Sequence, residues 1–184
     1  VLMASGQGRR FGSNKLLAAV EGVPLYRRAM TALAGAGLDR LAVCSPYPEV
    51  LEAGAALGFL SLPNPGAEEG ISASIRLGLS AMGGMEGVLF SVCDQPFLTT
   101  DSIIRLLHSF EQSKNAICAL SWQGQRGNPV IFPADLFMEL AALTGDTGGG
   151  AVIRRHPERL ALVEAGSPRE LADLDRREDW LFHS

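Results

Sequence analysis

Residues 87–94 read GVLFSVCD. The apolar residues follow one another instead of alternating with polar ones, the pattern of a strand covered on both faces in a largely parallel sheet. The run stops at Asp94, followed by Gln95 and Pro96. A carboxylate at the end of a buried strand is costly without a partner. Magnesium held by one or two carboxylates and by substrate phosphates is one solution. A turn capped by Asp94 is the other, since Asp and Pro both favour turns.

The segments on either side repeat the same alternation. Strands are expected at VLMA (1–4), RLAVCS (40–45), GFLSL (58–62), ICALSW (117–122), NPVIF (128–132) and LALVEA (160–165). Helical spacing of apolar residues places helices after Pro24, over PEVLEAGAALG (48–58), ISASIRLGLSAM (71–82), TTDSIIRLLHSF (99–110), DLFMELAAL (135–143) and AVIRRH (151–156), and at the end over LADLDRREDWLF (171–182). PNPGAEEG (63–70), QGQRG (123–127) and TGDTGGG (144–150) read as loops. Strand–helix alternation of this kind predicts an α/β fold, a mostly parallel sheet with helices on both faces. No repeat or low-complexity linker divides the chain, so residues 1–184 are expected to form one domain. Ligands of such sheets bind beyond the carboxyl ends of the strands.

The first loop, ASGQGRRFGSNK (4–15), lies at such an end. It is not a dinucleotide fingerprint, because Phe11 stands where GxGxxG needs its third glycine. It is not a Walker loop, because Lys15 follows Asn14 and precedes Leu16. Its glycines allow close backbone approach to an anion. Arg9, Arg10 and Lys15 bring more positive charge than one phosphate needs, which suits a triphosphate or a pyrophosphate leaving group. A glycine turn carrying solvated basic side chains is the plainer alternative.

Composition narrows the partners. The net charge is −4 and charged residues make up 20% of the chain without a basic stripe, so no nucleic acid is expected. No apolar run approaches the ~18 residues of a membrane span, so no membrane is expected either. The three cysteines, Cys44, Cys93 and Cys118, sit singly in apolar runs and read as core residues in a reducing cytoplasm. His108, His156 and His183 read as surface or packing residues, and no Ser or Cys nucleophile stands out.

In sequence order, MASGQGRRFGSNKLL (3–17), NPGAEEGISASIRLGL (64–79), CDQPFLT (93–99), GQRGNPVIFP (124–133), LTGDTGGGAVI (143–153) and DLDRREDW (173–180) resemble the MobA-like nucleotidyltransferases, in particular the molybdenum cofactor cytidylyltransferase branch. The resemblance implies a Rossmann-like three-layer α/β/α sandwich of the nucleotide-diphospho-sugar transferase type. It implies transfer of CMP from CTP, or of a nucleotide from GTP, to a phosphorylated pterin cofactor, with Mg2+ as cofactor and a molybdoenzyme apoprotein as a further partner.

The resemblance also implies a site. Ala4, Ser5, Gly6, Gly8, Arg10 and Lys15 would hold the nucleotide, with Asn64, Gly70 and Ser74 on base and ribose. Arg10, Lys15 and Asp94 would be catalytic. Asp94 would bind the metal, with Asp173 or Asp175 as second carboxylate. Gln95, Gly127, Asn128, Pro129, Gly145 and Asp146 would face the acceptor. Some positions depart from the family pattern. Ser5 stands where the cytidine type has alanine and the guanosine type glycine, and Asn128 where histidine is common. Gly149 and Gly150 replace an alanine–arginine pair, and Arg176 and Arg177 a Thr–Pro turn. The rival readings are a transferase for a sugar or polyol phosphate, a nucleotide-binding accessory protein without turnover, and a nicotinamide oxidoreductase. Trp122 is equally a stacking surface for a flat acceptor and a core residue.

Overall fold

A computed structural model describes residues 1–6 and 15–173. The strands are β1 (Leu2–Met3), β2 (Ala19–Val20), β3 (Val23–Pro24), β4 (Ala42–Ser45), β5 (Leu60–Pro63), β6 (Gly87–Val92), β7 (Ile117–Trp122), β8 (Gln125–Pro133) and β9 (Leu160–Glu164). The helices are α1 (Leu25–Ala34), α2 (Pro48–Ala56), α3 (Ile71–Ser80), α4 (Thr100–Gln112), α5 (Phe137–Ala141) and α6 (Gly150–Arg155). Short 3-10 turns sit at Lys15–Leu17, Ala67–Glu69, Ala134–Leu136, Pro157–Arg159 and Pro168–Leu171. None of the described helices is long and apolar enough to cross a membrane.

Seven strands form one sheet in the order β5-β4-β1-β6-β8-β7-β9, and β2 and β3 form a separate small hairpin. All neighbouring pairs in the large sheet are parallel except those made by β8, which runs antiparallel to both β6 and β7. The continuous apolar runs have a direct cause. Val43, Leu89, Cys118, Leu120 and Ile131 point into one core, which also holds Met30 and Leu33 of α1, Val50 of α2 and Leu106 of α4. Their strand neighbours Cys44, Val88, Phe90, Ala119, Val130 and Phe132 point into a second core, with Ile75 of α3, Leu140 of α5 and Val152 of α6. Side chains alternate between faces along a strand. With helices over both faces, both sets must be apolar.

Three details depart from the expected pattern. GVLFSVCD is parallel to β1 on one side only, and antiparallel β8 takes its other edge. The loop QGQRG shrinks to the two residues Gln123 and Gly124, both at positive φ. That is the backbone a tight two-residue hairpin requires, and it leaves Gln125 and Arg126 paired to Trp122 and Ser121. The expected terminal helix does not begin at 171: Pro168–Leu171 is a 3-10 turn, Ala172 is extended, and residues 174–182 of that stretch lie outside the described residues.

Candidate active site

β1 is followed in the sheet by β4 on one side and β6 on the other, so the chain leaves β1 in one direction and returns across it. A crevice at such a reversal, beyond the carboxyl ends of the strands, is the usual ligand site of an open α/β sheet. Residues 4–6 leave β1 at this edge and Cys93–Asp94–Gln95 leave β6 beside them. Lys15 returns to the same place. Its Nζ lies 3.5 Å from Asp94 Oδ2, although the residue is only 8% exposed. Asp94 Oδ1 is buried without a hydrogen-bond partner.

On the β4–β5 side, three of the expected nucleotide residues are tied together. Asn64, 3% exposed, donates from Nδ2 to Ser5 Oγ at 2.9 Å and to Ser74 Oγ at 3.0 Å. Ser5 Oγ donates to the Cys44 carbonyl at 3.2 Å, and Ser45 Oγ to the Ala4 carbonyl at 2.9 Å. The cluster locks the ends of β1, β4 and β5 onto α3. Gly70, at φ +101°, has no room for a side chain: a Cβ would lie 2.5 Å from the Gly145 carbonyl and 2.7 Å from the Asp146 nitrogen. The Ser72 N–H also donates to Gly145 O at 3.2 Å. The loop beside the expected base site and the second glycine-rich loop are thus packed backbone to backbone.

On the β8 side, a cleft of about 500 Å³ is lined by Gln95, Trp122, Arg126, Gly127, Asn128, Leu171 and Asp173, among others. The register of β7 and β8 slips by two between the Ala119–Val130 and Ser121–Arg126 pairs, so residues 127–129 oppose Leu120 alone. Such bulges re-aim side chains beside active sites, and Pro129, lacking an N–H, suits one. Gln95, 2% exposed, donates from Nε2 to Asp173 Oδ1 at 3.0 Å, and its Oε1 has no partner. Gly127 lets Leu171 close over it, since a Cβ there would meet Leu171 Cδ2 at 2.8 Å. Trp122 both packs against the core and lines the cleft.

What seats the 168–173 segment is a residue the sequence reading missed. The buried carboxylate of Glu170 accepts from Thr99 N–H at 3.1 Å, Thr99 Oγ1 at 2.7 Å and Gly166 N–H at 2.8 Å. Thr99 is in turn the N-cap of α4, its hydroxyl accepting from Ser102 N–H. Arg169 stacks over Phe97 at 4.5 Å. Nothing local marks Glu170, because its partner Thr99 is 71 positions away.

Gly8, Arg10 and Asp175 lie outside the described residues, as does His183. His108 sits on the exposed face of α4 against Gln112, and His156 bonds Glu139 at 2.8 Å away from the cleft. The cysteines are buried free thiols. Burial pushes Cys44 up to about 12 and raises Cys93 and Cys118 as well, so none is a ready nucleophile.

No three His, Cys, Asp or Glu side chains converge among the described residues. Magnesium does not ask for that: it is held by one or two carboxylates, keeps waters and takes its remaining oxygens from phosphates. Asp94, with its orphaned buried oxygen, and Asp173, bonded to the adjacent Gln95, fit such a donor set.

A lysine and an aspartate converging at this reversal point suit phosphate chemistry, and comparison with known proteins agrees. The description "MobA-like NTP transferase domain" matches residues 1–160. The chain belongs to this family, and it is a nucleotidyltransferase. It is 34% identical over 117 residues to a molybdenum cofactor guanylyltransferase of Rhodobacter capsulatus, a match spanning 58% of this chain and 55% of that protein. It is 27% identical over 184 residues to nicotine blue oxidoreductase of Paenarthrobacter nicotinovorans, spanning 95% and 90%. Among solved structures, a nucleotidyl transferase from Methanothermobacter thermautotroptrophicus superposes with a TM-score of 0.82 at 24% identity, covering 99% of this chain and 93% of that one. Rv0371c of Mycobacterium tuberculosis in complex with manganese superposes with a TM-score of 0.77 at 22% identity, covering 98% and 94%. The Rossmann-like architecture of nucleotide-sugar transferases is therefore shared along the chain.

Proposed function

We propose that this chain, acting as one domain in the cytoplasm, joins CMP from CTP to the terminal phosphate of the molybdenum cofactor, molybdopterin, and releases pyrophosphate. The observation that carries the reading is the meeting of Lys15 Nζ and Asp94 at the β1–β6 crevice, with Asp94 Oδ1 buried and unpartnered. The acceptor follows from the motif resemblance and accords with the name of the guanylyltransferase relative. That same name favours GTP as the second reading. A molybdoenzyme apoprotein would receive the product.

The acceptor phosphate needs no general base. A phosphate monoester has its second pKa near ~6 and is already largely dianionic at neutral pH. The protein's part is positioning and charge neutralisation. Lys15 and Arg10 offset charge on the departing pyrophosphate, and the glycine loop's N–H groups hold the triphosphate tail. Asn64, Ser74 and Gly70 shape the wall beside base and ribose. Gln95 and the Gly127–Asn128–Pro129 bulge, with Gly145 and Asp146, face the acceptor. Asp94 and a second carboxylate, Asp173 or Asp175, would hold magnesium, which neutralises phosphate charge and polarises the attacked phosphorus.

The test is pyrophosphate release with magnesium and molybdopterin against CTP, GTP, ATP and UTP. Release with CTP is expected. Release with GTP alone selects the second reading. Magnesium-dependent nucleotide binding without release from any triphosphate would overturn both and favour an accessory protein.

A further inference from the structure

Resting on this transferase reading, we propose that Arg126 forms a phosphate subsite in the acceptor cleft, its guanidinium taking the phosphate dianion of the acceptor. Arg126 is the second residue of β8 and is fixed there by pairing with Ser121, so its side chain is delivered from a strand and not from a loop. It lines the cleft beside Trp122 and Asn128.

Of the described residues lining that cleft, Arg126 alone is cationic. Its neighbours are amides and apolar groups, with one opposing charge, Asp173. A dianionic acceptor entering beside a carboxylate would be repelled unless a cation met it. Lys15 is committed at Asp94.

Several other arginines are already engaged. Arg28, Arg76, Arg155 and Arg159 each pair with a carboxylate. Among the described residues the Arg126 guanidinium makes no hydrogen bond or ion pair. Its direction is also defined. A Cβ placed on Gly150 would lie 3.5 Å from Arg126 Nη2 and 3.7 Å from Arg154 Nη1, with nothing else close. The guanidinium thus reaches over the start of α6, and glycine at 150 keeps that space open. A planar, permanently charged fork is suited to two-point capture of a phosphate.

The first measurement uses inorganic phosphate as probe and needs no turnover. In a Trp180→Phe background Trp122 is the remaining tryptophan, and its fluorescence reports on the cleft. Phosphate is expected to bind the parent and to bind Arg126→Gln roughly tenfold or more weakly, the loss typical of one charge-assisted hydrogen-bonded contact. Arg40→Gln is the control: Arg40 is exposed and bonds the Ala81 carbonyl at the opposite edge of the sheet. Adding Gly150→Arg to Arg126→Gln is expected to restore most of the binding, because the new side chain enters the same space.

The second measurement is turnover with molybdopterin. Arg126→Gln should raise the acceptor KM about tenfold or more and leave the nucleotide KM unchanged. Phosphate binding that is absent from the parent, or equal in Arg126→Gln and the parent, overturns the proposal. Phosphate binding lost with Arg126 but no turnover of molybdopterin keeps the subsite and overturns the acceptor assignment instead.

Discussion

Glu170→Gln is the most informative single change outside the crevice. The wild-type carboxylate accepts two backbone N–H groups, Thr99 on Oε2 and Gly166 on Oε1, and the Thr99 hydroxyl on Oε2. A glutamine has one oxygen. Whichever way the amide turns, its NH2 faces a backbone donor, so at least one buried N–H loses its acceptor. Hydrogen bonds to charged groups contribute about 1.5–3 kcal/mol each, and an unmet buried donor costs about 1–3 kcal/mol. Allowing for relaxation, a loss of about 2 kcal/mol is expected, or roughly 4–8 °C in Tm for a chain of this size.

The charge adds a pH signature. Burial alone would raise the Glu170 carboxyl, but the hydrogen bonds from Ser102, Thr99 and Gly166 outweigh it and hold the group below its ordinary value. A depressed carboxyl stabilises fully above its unfolded value, about 4.5, and that stabilisation is lost as pH falls through the folded value. Circular-dichroism melts from pH 7 to pH 3 should therefore show a gap between wild type and Glu170→Gln that is widest at neutral pH and narrows below the unfolded value. Equal Tm at pH 7, or a gap indifferent to pH, would refute the account of the clasp.

Other changes probe the crevice and its walls. Asp94→Asn should lower turnover by ~10²–10³ or more while melting near the wild-type temperature; a folded variant with near-normal pyrophosphate release would defeat the metal assignment. Lys15→Met should slow turnover by a similar ~10²–10³ with the fold retained, and an unchanged rate would remove Lys15 from the chemistry. Asn64→Ala strips Ser5 and Ser74 of a shared donor, and a loss of about 1–3 kcal/mol in urea unfolding is expected together with a raised nucleotide KM. Gly70→Ala forces a Cβ into the Gly145–Asp146 backbone, so both nucleotide and acceptor KM should rise; an effect on neither would show that the two loops move independently.

Much of this protein is legible along the chain. Unbroken apolar runs such as GVLFSVCD announce strands covered on both faces, because a strand exposed on one side would alternate. Helical spacing and capping residues, such as Thr99 before α4, mark the helices. The glycine–arginine–lysine loop and the Asp94 strand end stand out as a candidate anion site, since both depend on residue type at short spacing. Strand order and direction are not legible in this way. A hairpin and a crossover can join similar apolar runs, so the insertion of β8 antiparallel between β6 and β7 emerges only when the edges pair. The same holds for long-range partners. Lys15 meets Asp94, Asn64 meets Ser5 and Glu170 meets Thr99 across tens of residues, and nothing in their neighbouring sequence names the partner. The sequence alone determined the layers and singled out the loop and the carboxylate as candidates, because propensity, periodicity and charge act locally. Tertiary structure decided which groups converge on the crevice, because burial and hydrogen bonding act between whichever segments the sheet brings together.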